Sequence, residues 1–459
     1  MTGPIENWRS DVAGVLWPPV LEGTGALVLA YAARLAETQW LPPAEIAHQQ
    51  RLQLALLADH CARHSPNFAT RLAQAGLTPA ELAQPGGLER LAPLTRRALQ
   101  AGSGVYCSEI PPNHQPVAVN QTSGSTGEPV AVRRTALNHL GTMAATVRDH
   151  QWQKRDAGLR LAAMSAHNHA VKQLPDWGPP LALLYRTGPA LSLPSAIDVG
   201  ELLTILTRFA PQILVIYPSM LTALIGEIER SGTRLDGLRQ LRCMSEMVHP
   251  ELRARSKAMF GIDLEDAYTT EECGFIALQC PQGEGYHVMA ETHLVEIVDG
   301  TGRPCAPGET GRVLVTDLHN FATPLIRYDI GDYAVAGGAC PCGRGLPRID
   351  RIMGRERNLI CLPDGTRYWP LVGYTRYRAI APVQQYQLVQ HDLHRVEARL
   401  VVERPLTGAE EAALAEAIQD GLGYPFAISF SYHRDRLTAG PSGKCEELVS
   451  LVDPTHLSH

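Results

Sequence analysis

Polar and apolar positions along this chain follow three successive rhythms. Residues 27–38 and 43–64 repeat apolar positions every three or four residues, the period of an amphipathic helix. Pro42-Pro43 suits the opening of the second helix, because the first turn has no partner for an N–H anyway. Gln84-Pro85-Gly86-Gly87 breaks the pattern, and Thr95 offers a side-chain oxygen to cap a short helix after it. Residues 1 to about 105 therefore read as mainly helical, with no chemistry apparent in them.

From about 115 to 335, short β-rich runs alternate with helical stretches. Residues 159–164, 213–217 and 241–244 have strand character, and 136–151, 197–209, 219–230 and 250–260 have helical character. That alternation predicts a parallel sheet with helices on both faces. Such sheets bind ligands beyond the carboxyl ends of their strands. Tyr217, Ser245-Glu246 and Tyr268 to Glu272 each follow a predicted strand, which places them at one rim. After Leu294 the pattern turns β-rich, with strands at 294–298, 311–316 and 332–336. Past Gly354-Arg355, a hairpin around Pro363-Asp364-Gly365, strands at 384–389, 395–402 and 428–432, and a helix over 407–422 suggest a small α+β unit. The expected fold class is α/β. A large N-terminal domain, 1–355, has parallel-rich sheets flanked by helices plus a β-rich subdomain, and a small C-terminal domain spans 356–459.

Composition narrows the function. At 459 residues, with 45% hydrophobic and 19% charged positions, the chain is globular and long enough for more than one core. A net charge of −6 leaves no electrostatic footprint for nucleic acid. No apolar run is as long as a membrane span, and the N-terminus lacks the basic segment and apolar core of a secretory leader. The expectation is a cytoplasmic protein with neither nucleic acid nor membrane as partner. Ten cysteines spread over this length do not form a disulfide framework.

The densest chemistry lies in Thr122-Ser123-Gly124-Ser125-Thr126-Gly127, between alternating apolar runs at 117–119 and 130–132. Glycines let backbone N–H groups approach a ligand and hydroxyls add donors, a combination suited to phosphate. No Gly-Lys-Ser/Thr follows, so it is not a Walker loop. Tyr268-Thr269-Thr270-Glu271-Glu272-Cys273 places carboxylates where they could hold Mg²⁺ against phosphates; its bland reading is a helix N-terminus with acids in the first turn. In Arg327-Tyr328-Asp329-Ile330-Gly331-Asp332, a carboxylate could accept both hydroxyls of a ribose, or the segment is simply a turn.

With Gly354-Arg355 and Gly443-Lys444, these elements stand in an order that resembles the adenylate-forming superfamily of acyl-CoA synthetases, adenylation domains and luciferases. Residues 324–332 and Cys340-Pro341-Cys342-Gly343-Arg344 look most like its phenylacetate-CoA ligase branch, including coenzyme F390 synthetase-like members. The resemblance implies activation of a carboxylic acid, aromatic in that branch, by ATP. Acyl-adenylate and pyrophosphate form, and a thiol, most often that of CoA, then takes the acyl group. A carrier-protein thiol or an amine as acceptor stays open, as does a degenerate nucleotide-binding member without turnover; a homodimer is also left open. By resemblance, Thr122 to Gly127 bind the β- and γ-phosphates, Glu272 holds Mg²⁺ with Glu271 as runner-up, and Asp332 binds the ribose with help from Arg355. Glu246, Tyr268 and Thr269 join the ATP/AMP site. Lys444, on a mobile C-terminal domain, approaches the α-phosphate and the carboxylate. Three positions depart from the pattern: Thr269 and Val130 replace a glycine and a lysine, and Arg357 stands where an acidic hinge residue is usual.

Cys340 and Cys342, with Cys280 and His287 on a Pro/Gly-rich loop, make a Cys₃His set suited to structural Zn²⁺, which the branch resemblance also suggests. His293 and Cys273 are alternative ligands. His167-Asn168-His169 follows a strand and is read, with Tyr217 and Trp177, as a candidate wall of the acyl pocket; core packing is the plainer reading for the two aromatics.

Overall fold

The computed structural model describes residues 7–102, 104–121, 129–165, 168–283, 285–370, 374–434, 437 and 446–452. Helices Gly23–Thr38, Pro43–His64 and Pro66–Gln74 form the N-terminal region, with Pro43 in the first turn of the second. Thr95 caps helix Arg96–Ala101 by accepting from the Ala98 N–H at 3.2 Å.

A six-stranded sheet forms the centre, in the order Lys172–Leu174, Ala190–Pro194, Leu161–Ser165, Ile213–Ile216, Gln240–Cys243, Leu264–Glu265. All its pairings are parallel except the one made by Lys172–Leu174. Helices Val199–Phe209, Pro218–Ser231 and Pro250–Phe260 pack leucines and isoleucines onto it. The first starts two residues later than its periodicity suggests. Asp198 accepts from Gly200 N–H at 2.9 Å and Glu201 N–H at 3.0 Å, so the cap fixes the boundary.

Asp266 marks a seam. The chain leaves the parallel sheet at Glu265 and enters a seven-stranded antiparallel sheet at Ala267. That sheet runs His293–Val298, Thr310–Asp317, Tyr328–Ala336, Arg348–Arg355, Tyr286–Val288, Gly274–Gln279, Ala267–Thr270. Asp266 is held across the seam by the Tyr286 hydroxyl at 2.5 Å and by the Ala267 N–H. A further hairpin, Val117–Gln121 with Ala131–Thr135, pairs Gln121 with Ala131 on either side of the Ser/Thr/Gly segment.

The last hundred residues build a core of their own. Strands Ala427–His433, Arg395–Val402, Val383–Gln390 and Leu448–Ser450 form a mixed sheet, and helix Gly408–Gly421 buries Leu414 and Ile418 with them. The α/β class with a large N-terminal part and a small α+β C-terminal part is as expected. Among the described residues no helix is long and apolar enough to cross a membrane.

Candidate functional site

Three residues far apart in sequence meet at the antiparallel sheet. Asp332 and Arg355 lie opposite each other on paired strands, with Arg355 Nε 3.4 Å from Asp332 Oδ1. From strand Ala267–Thr270 the Tyr268 hydroxyl donates to Asp332 Oδ2 at 2.6 Å. Asp332 is 7% exposed, and burial pushes its carboxyl above the ordinary value while Arg355 and Tyr268 pull it back. An ionised carboxylate has about four lone-pair positions, so Asp332 can still accept vicinal hydroxyls.

Its neighbours in the motif have other work. Asp329 turns away, pairs with Arg312 at 3.1 Å and accepts from Gly331 N–H at 3.1 Å. Arg327 is a buried clasp: it donates to the carbonyls of Glu89 at 2.7 Å and Leu91 at 2.6 Å, and pairs with Glu296 at 3.2 Å. The adjoining backbone is stitched to the N-terminal region, since Leu94 N–H donates to Arg327 O at 2.8 Å and Asp329 N–H to Leu94 O at 2.9 Å.

Residues 271–273 are not a helix start. They form the turn between antiparallel strands Ala267–Thr270 and Gly274–Gln279. Gly274 takes φ +78°, and Cys273 N–H donates to Thr270 Oγ1 at 3.1 Å. The first-turn reading failed because a tight β-turn and a helix start draw on the same short polar residues. Glu271 points outward and Glu272 inward, 4% exposed, with Arg96 Nη1 at 3.0 Å from its Oε1. Arg96 lies in the region whose sequence shows no chemistry. Nothing in spacing could reveal it, because the Leu94–Asp329 stitching is what carries it to Glu272.

Glu246 follows strand Gln240–Cys243 and accepts from the Ser219 N–H at 2.8 Å and hydroxyl at 3.1 Å, tying two adjacent parallel strands at their carboxyl ends. Thr269 pairs with Phe275 beside Tyr268. Tyr217 is buried in the helix–sheet core, Trp177 donates from its indole to Leu159 O at 3.0 Å, and His169 is exposed. Residues 122–127, His167 and Lys444 lie outside the described residues. Two positions past Lys444, Glu446 forms an ion pair with Arg357 and accepts from Asn358 Nδ2 at 3.2 Å. Arg357, which stands where the resemblance expects an acidic residue, thus pairs with a carboxylate 89 positions further along the chain.

Cys280, His287, Cys340 and Cys342 converge, with their ligand atoms all within 4.8 Å of one another. They meet because strands Tyr286–Val288 and Arg348–Arg355 pair, bringing the 340–342 turn over His287. Burial holds the His287 imidazole down at about 4, hence neutral, and Nδ1 faces the Leu346 carbonyl at 3.4 Å. A proton on Nδ1 leaves the Nε2 lone pair pointing into the cluster, 3.2 Å from Cys342 Sγ. Burial pushes the Cys280 thiol up to about 11, so a thiolate there calls for a cation. This donor set fits tetrahedral Zn²⁺ with no open position. His293 and Cys273 lie elsewhere: His293 Nε2 is 3.1 Å from the Cys273 carbonyl, outside the cluster. The turn also grips the N-terminal region and the end of helix Ala136–Trp152, because the Arg344 guanidinium lies 4.9 Å from the Trp40 ring and 4.4 Å from the Trp152 ring.

A small cleft of about 20 Å³, room for about one water, opens beside Cys273 and is lined by Leu137, Ala145 and Phe275 and by Arg134, Asn138 and Asp317. It lies between the turn bearing Glu272 and helix Ala136–Trp152, which follows the hairpin carrying residues 122–127. Tyr217 is not among its walls.

Comparisons with known proteins agree with this geometry. A family profile described as AMP-binding enzyme matches residues 41–322. The phenylacetate-coenzyme A ligase of Pseudomonas putida is 27% identical over 338 residues, 69% of this chain and 71% of that one. The phenylacetate-coenzyme A ligase of Thermus thermophilus is 25% identical over 391 residues, 80% and 84% of the two chains. Among solved structures, 2-hydroxyisobutyryl-CoA ligase in complex with 2-HIB-AMP superimposes with a TM-score of 0.71 at 17% identity, covering 90% of this chain and 91% of that one. At that identity the likeness shows the fold alone. The family match spans most of the chain and takes in the Ser/Thr/Gly segment, Glu246 and the turn bearing Glu272, so this protein belongs to the AMP-binding, adenylate-forming enzymes.

Proposed function

We propose that this enzyme uses ATP to activate a carboxylic acid, aromatic in type, and passes the acyl group to the thiol of CoA. The Tyr268–Asp332–Arg355 cluster carries the reading, because it offers a buried carboxylate to a ribose from three separate strands. The relatives named phenylacetate-coenzyme A ligase support an aromatic acid and CoA.

In the first half-reaction a carboxylate oxygen of the acid attacks the α-phosphorus of ATP, and pyrophosphate leaves with the electrons of the broken P–O bond. Asp332 holds the ribose, and Arg355, by pairing with it, keeps it ionised. Residues 122–127 cradle the β- and γ-phosphates. Glu272, with Arg96 compensating its charge, would hold Mg²⁺. When bound, Mg²⁺ neutralises phosphate oxygens as charge gathers on them. Lys444 adds a cation at the α-phosphate and the carboxylate. The Arg357–Glu446 tie supports that placement, since it holds the chain just past Lys444 beside the strand end carrying Arg355. In the second half-reaction the CoA sulfur attacks the acyl carbonyl and AMP leaves.

The small C-terminal domain, 356–459, would swing between the two half-reactions about Arg355. Zn²⁺ at Cys280, His287, Cys340 and Cys342 would be structural. Acid-dependent ATP–pyrophosphate exchange, followed by AMP release with and without CoA, tests the proposal. No exchange with any acid would refute it, and exchange without CoA-dependent AMP release would assign a different acceptor.

A further inference from the structure

Away from the hinge, where the Trp369 ring lies 5.1 Å from that of Tyr333, the small C-terminal part meets the large one through charged groups. Among the described residues, its apolar cluster around Tyr386 and Leu414 shares no member with the cluster of the parallel sheet. Strand Val383–Gln390 lies against helix Pro218–Ser231 instead, and two ion pairs span the seam. His249 precedes helix Pro250–Phe260 without capping it through its side chain, and its Nε2 is 3.4 Å from Glu447 Oε2. Glu447 is fixed from the other side, since the Tyr386 hydroxyl donates to the same oxygen at 2.7 Å and Leu388 N–H donates to its carbonyl at 2.8 Å. Beside this pair, Glu229 on helix Pro218–Ser231 holds Arg255 at 3.1 Å and lies 3.9 Å from Arg378 Nη1 on helix Tyr374–Ile380. The side chains of these two crossing pairs are 27–43% exposed. Glu446, next to Glu447, turns the opposite way, to Arg357 and Asn358 within the small part.

We propose that His249 and Glu447, supported by Glu229 and Arg378, are positioning residues: an electrostatic latch that docks the small domain for the first half-reaction and releases it for the second. The inference rests on the adenylating function and the domain swing proposed above; it adds what holds the docked arrangement and how firmly. An interface that is large and apolar would keep one arrangement throughout, whereas a polar one lets the two parts move. Each partly exposed ion pair shifts a population only a few-fold, which suits a docked state that is favoured yet reversible. Adjacent carboxylates divide the work. The Glu446 pair lies wholly within the small part and travels with it, as does the Tyr386–Glu447 hydrogen bond. Only the face of Glu447 toward His249 has to open, so release breaks the crossing pairs and leaves the strand that follows Lys444 intact.

The test compares full-length wild type, His249→Gln, His249→Lys and Glu447→Gln. Amide hydrogen exchange in the segments that meet at the seam, 250–260 and 446–452, reads the open population without any substrate. It should quicken about two- to fivefold in His249→Gln and Glu447→Gln, and return toward wild type in His249→Lys, which keeps a cation opposite Glu447. With phenylacetate as the probe acid, His249→Gln should slow ATP–pyrophosphate exchange by a similar factor and leave thiolation of supplied phenylacetyl-adenylate by CoA unchanged or faster. Raising salt from about 50 mM to about 500 mM should slow the wild type more than His249→Gln, because the variant has less charge attraction left to screen. Unaltered seam exchange in both Gln variants would overturn the inference, as would equal loss of both half-reactions without rescue by His249→Lys. Pyrophosphate exchange by the wild type upholds the adenylating function in either event. If no acid supports it, that function fails on its own, while amide exchange still decides whether the latch exists. Should Glu447→Gln not fold once Tyr386 loses its charged acceptor, the two His249 variants decide alone.

Discussion

The Arg96–Glu272 pair makes stability and activity respond in opposite orders. The Glu272 side chain is 6% exposed and that of Arg96 25%. In Arg96→Met the carboxylate stays inside without its cation; stranding a buried charge costs about 3–5 kcal/mol when burial is complete, and about 2–3 kcal/mol is expected here. In Glu272→Gln the guanidinium that loses its partner is a quarter exposed and hydrates, so the expected loss is about 1 kcal/mol. Activity should rank the other way. Glu272→Gln removes the proposed anchor for Mg²⁺ beside the phosphates and should lower exchange by about two to three powers of ten, whereas Arg96→Met leaves that carboxylate in place and should stay within about tenfold. Urea unfolding and acid-dependent ATP–pyrophosphate exchange on the same preparations read both quantities. The reasoning fails if Glu272→Gln is the less stable of the two, or if Arg96→Met is equally inactive. If Glu271→Gln is the dead variant and Glu272→Gln turns over, the metal-binding position is one residue earlier than argued.

Three further outcomes follow from other parts of the site. Freshly purified protein should contain about one zinc per chain; removing it, or Cys342→Ser, should change the Trp40 and Trp152 fluorescence and lower the Tm, because the Arg344 turn grips both indoles, and metal analysis finding no zinc would refute this. Lys444→Ala should slow acyl-adenylate formation by roughly two to three powers of ten yet largely spare thiolation of a supplied acyl-adenylate; equal loss in both steps would mean general damage to the C-terminal part. Asp332 must be ionised to accept ribose hydroxyls, and burial raises its carboxyl above the usual value of 3.8, so ATP affinity should fall as pH drops through a point above that value. Asp332→Asn should bind ATP weakly at every pH and lose that dependence; titration of ATP binding against pH checks both.

What the sequence made legible was whatever repeats or clusters locally. Apolar period gave helices at 27–38 and 43–64, the first of which begins four residues earlier, at Gly23, and the alternation of strands and helices gave the parallel sheet. The strand Ala190–Pro194 was missed: Pro189 before it and Pro194 at its end read as breakers around too short a run, and it is held by sheet neighbours on both sides. The cysteine pair at 340 and 342 was visible as a spacing, but its meeting with Cys280 and His287 depends on the pairing of strands Tyr286–Val288 and Arg348–Arg355. Arg96 was invisible for a different reason. It is a lone charged residue with no local pattern, and its meaning comes only from Glu272, which it faces across the fold.

That difference bears on how the site is built. Position in the motif order singles out Glu272 and Asp332, yet both are buried carboxylates that would be costly without a partner. Their partners arrive by two routes. Arg355 comes from the adjacent strand, where sheet register puts it opposite Asp332. Arg96 comes from the N-terminal helical region, which is laced to the strand carrying Asp329 through Leu94 and clasped there by Arg327. The first hundred residues, silent in sequence, therefore complete the charge balance of the proposed metal site. Loosening that lacing, for instance by Arg327→Leu, should weaken the Glu272 side of the site before the Asp332 side. The expected signature is a raised Mg²⁺ requirement for exchange, with ATP affinity in the absence of metal less affected. A variant that loses metal-free nucleotide binding first would place the N-terminal region's contribution at the ribose instead.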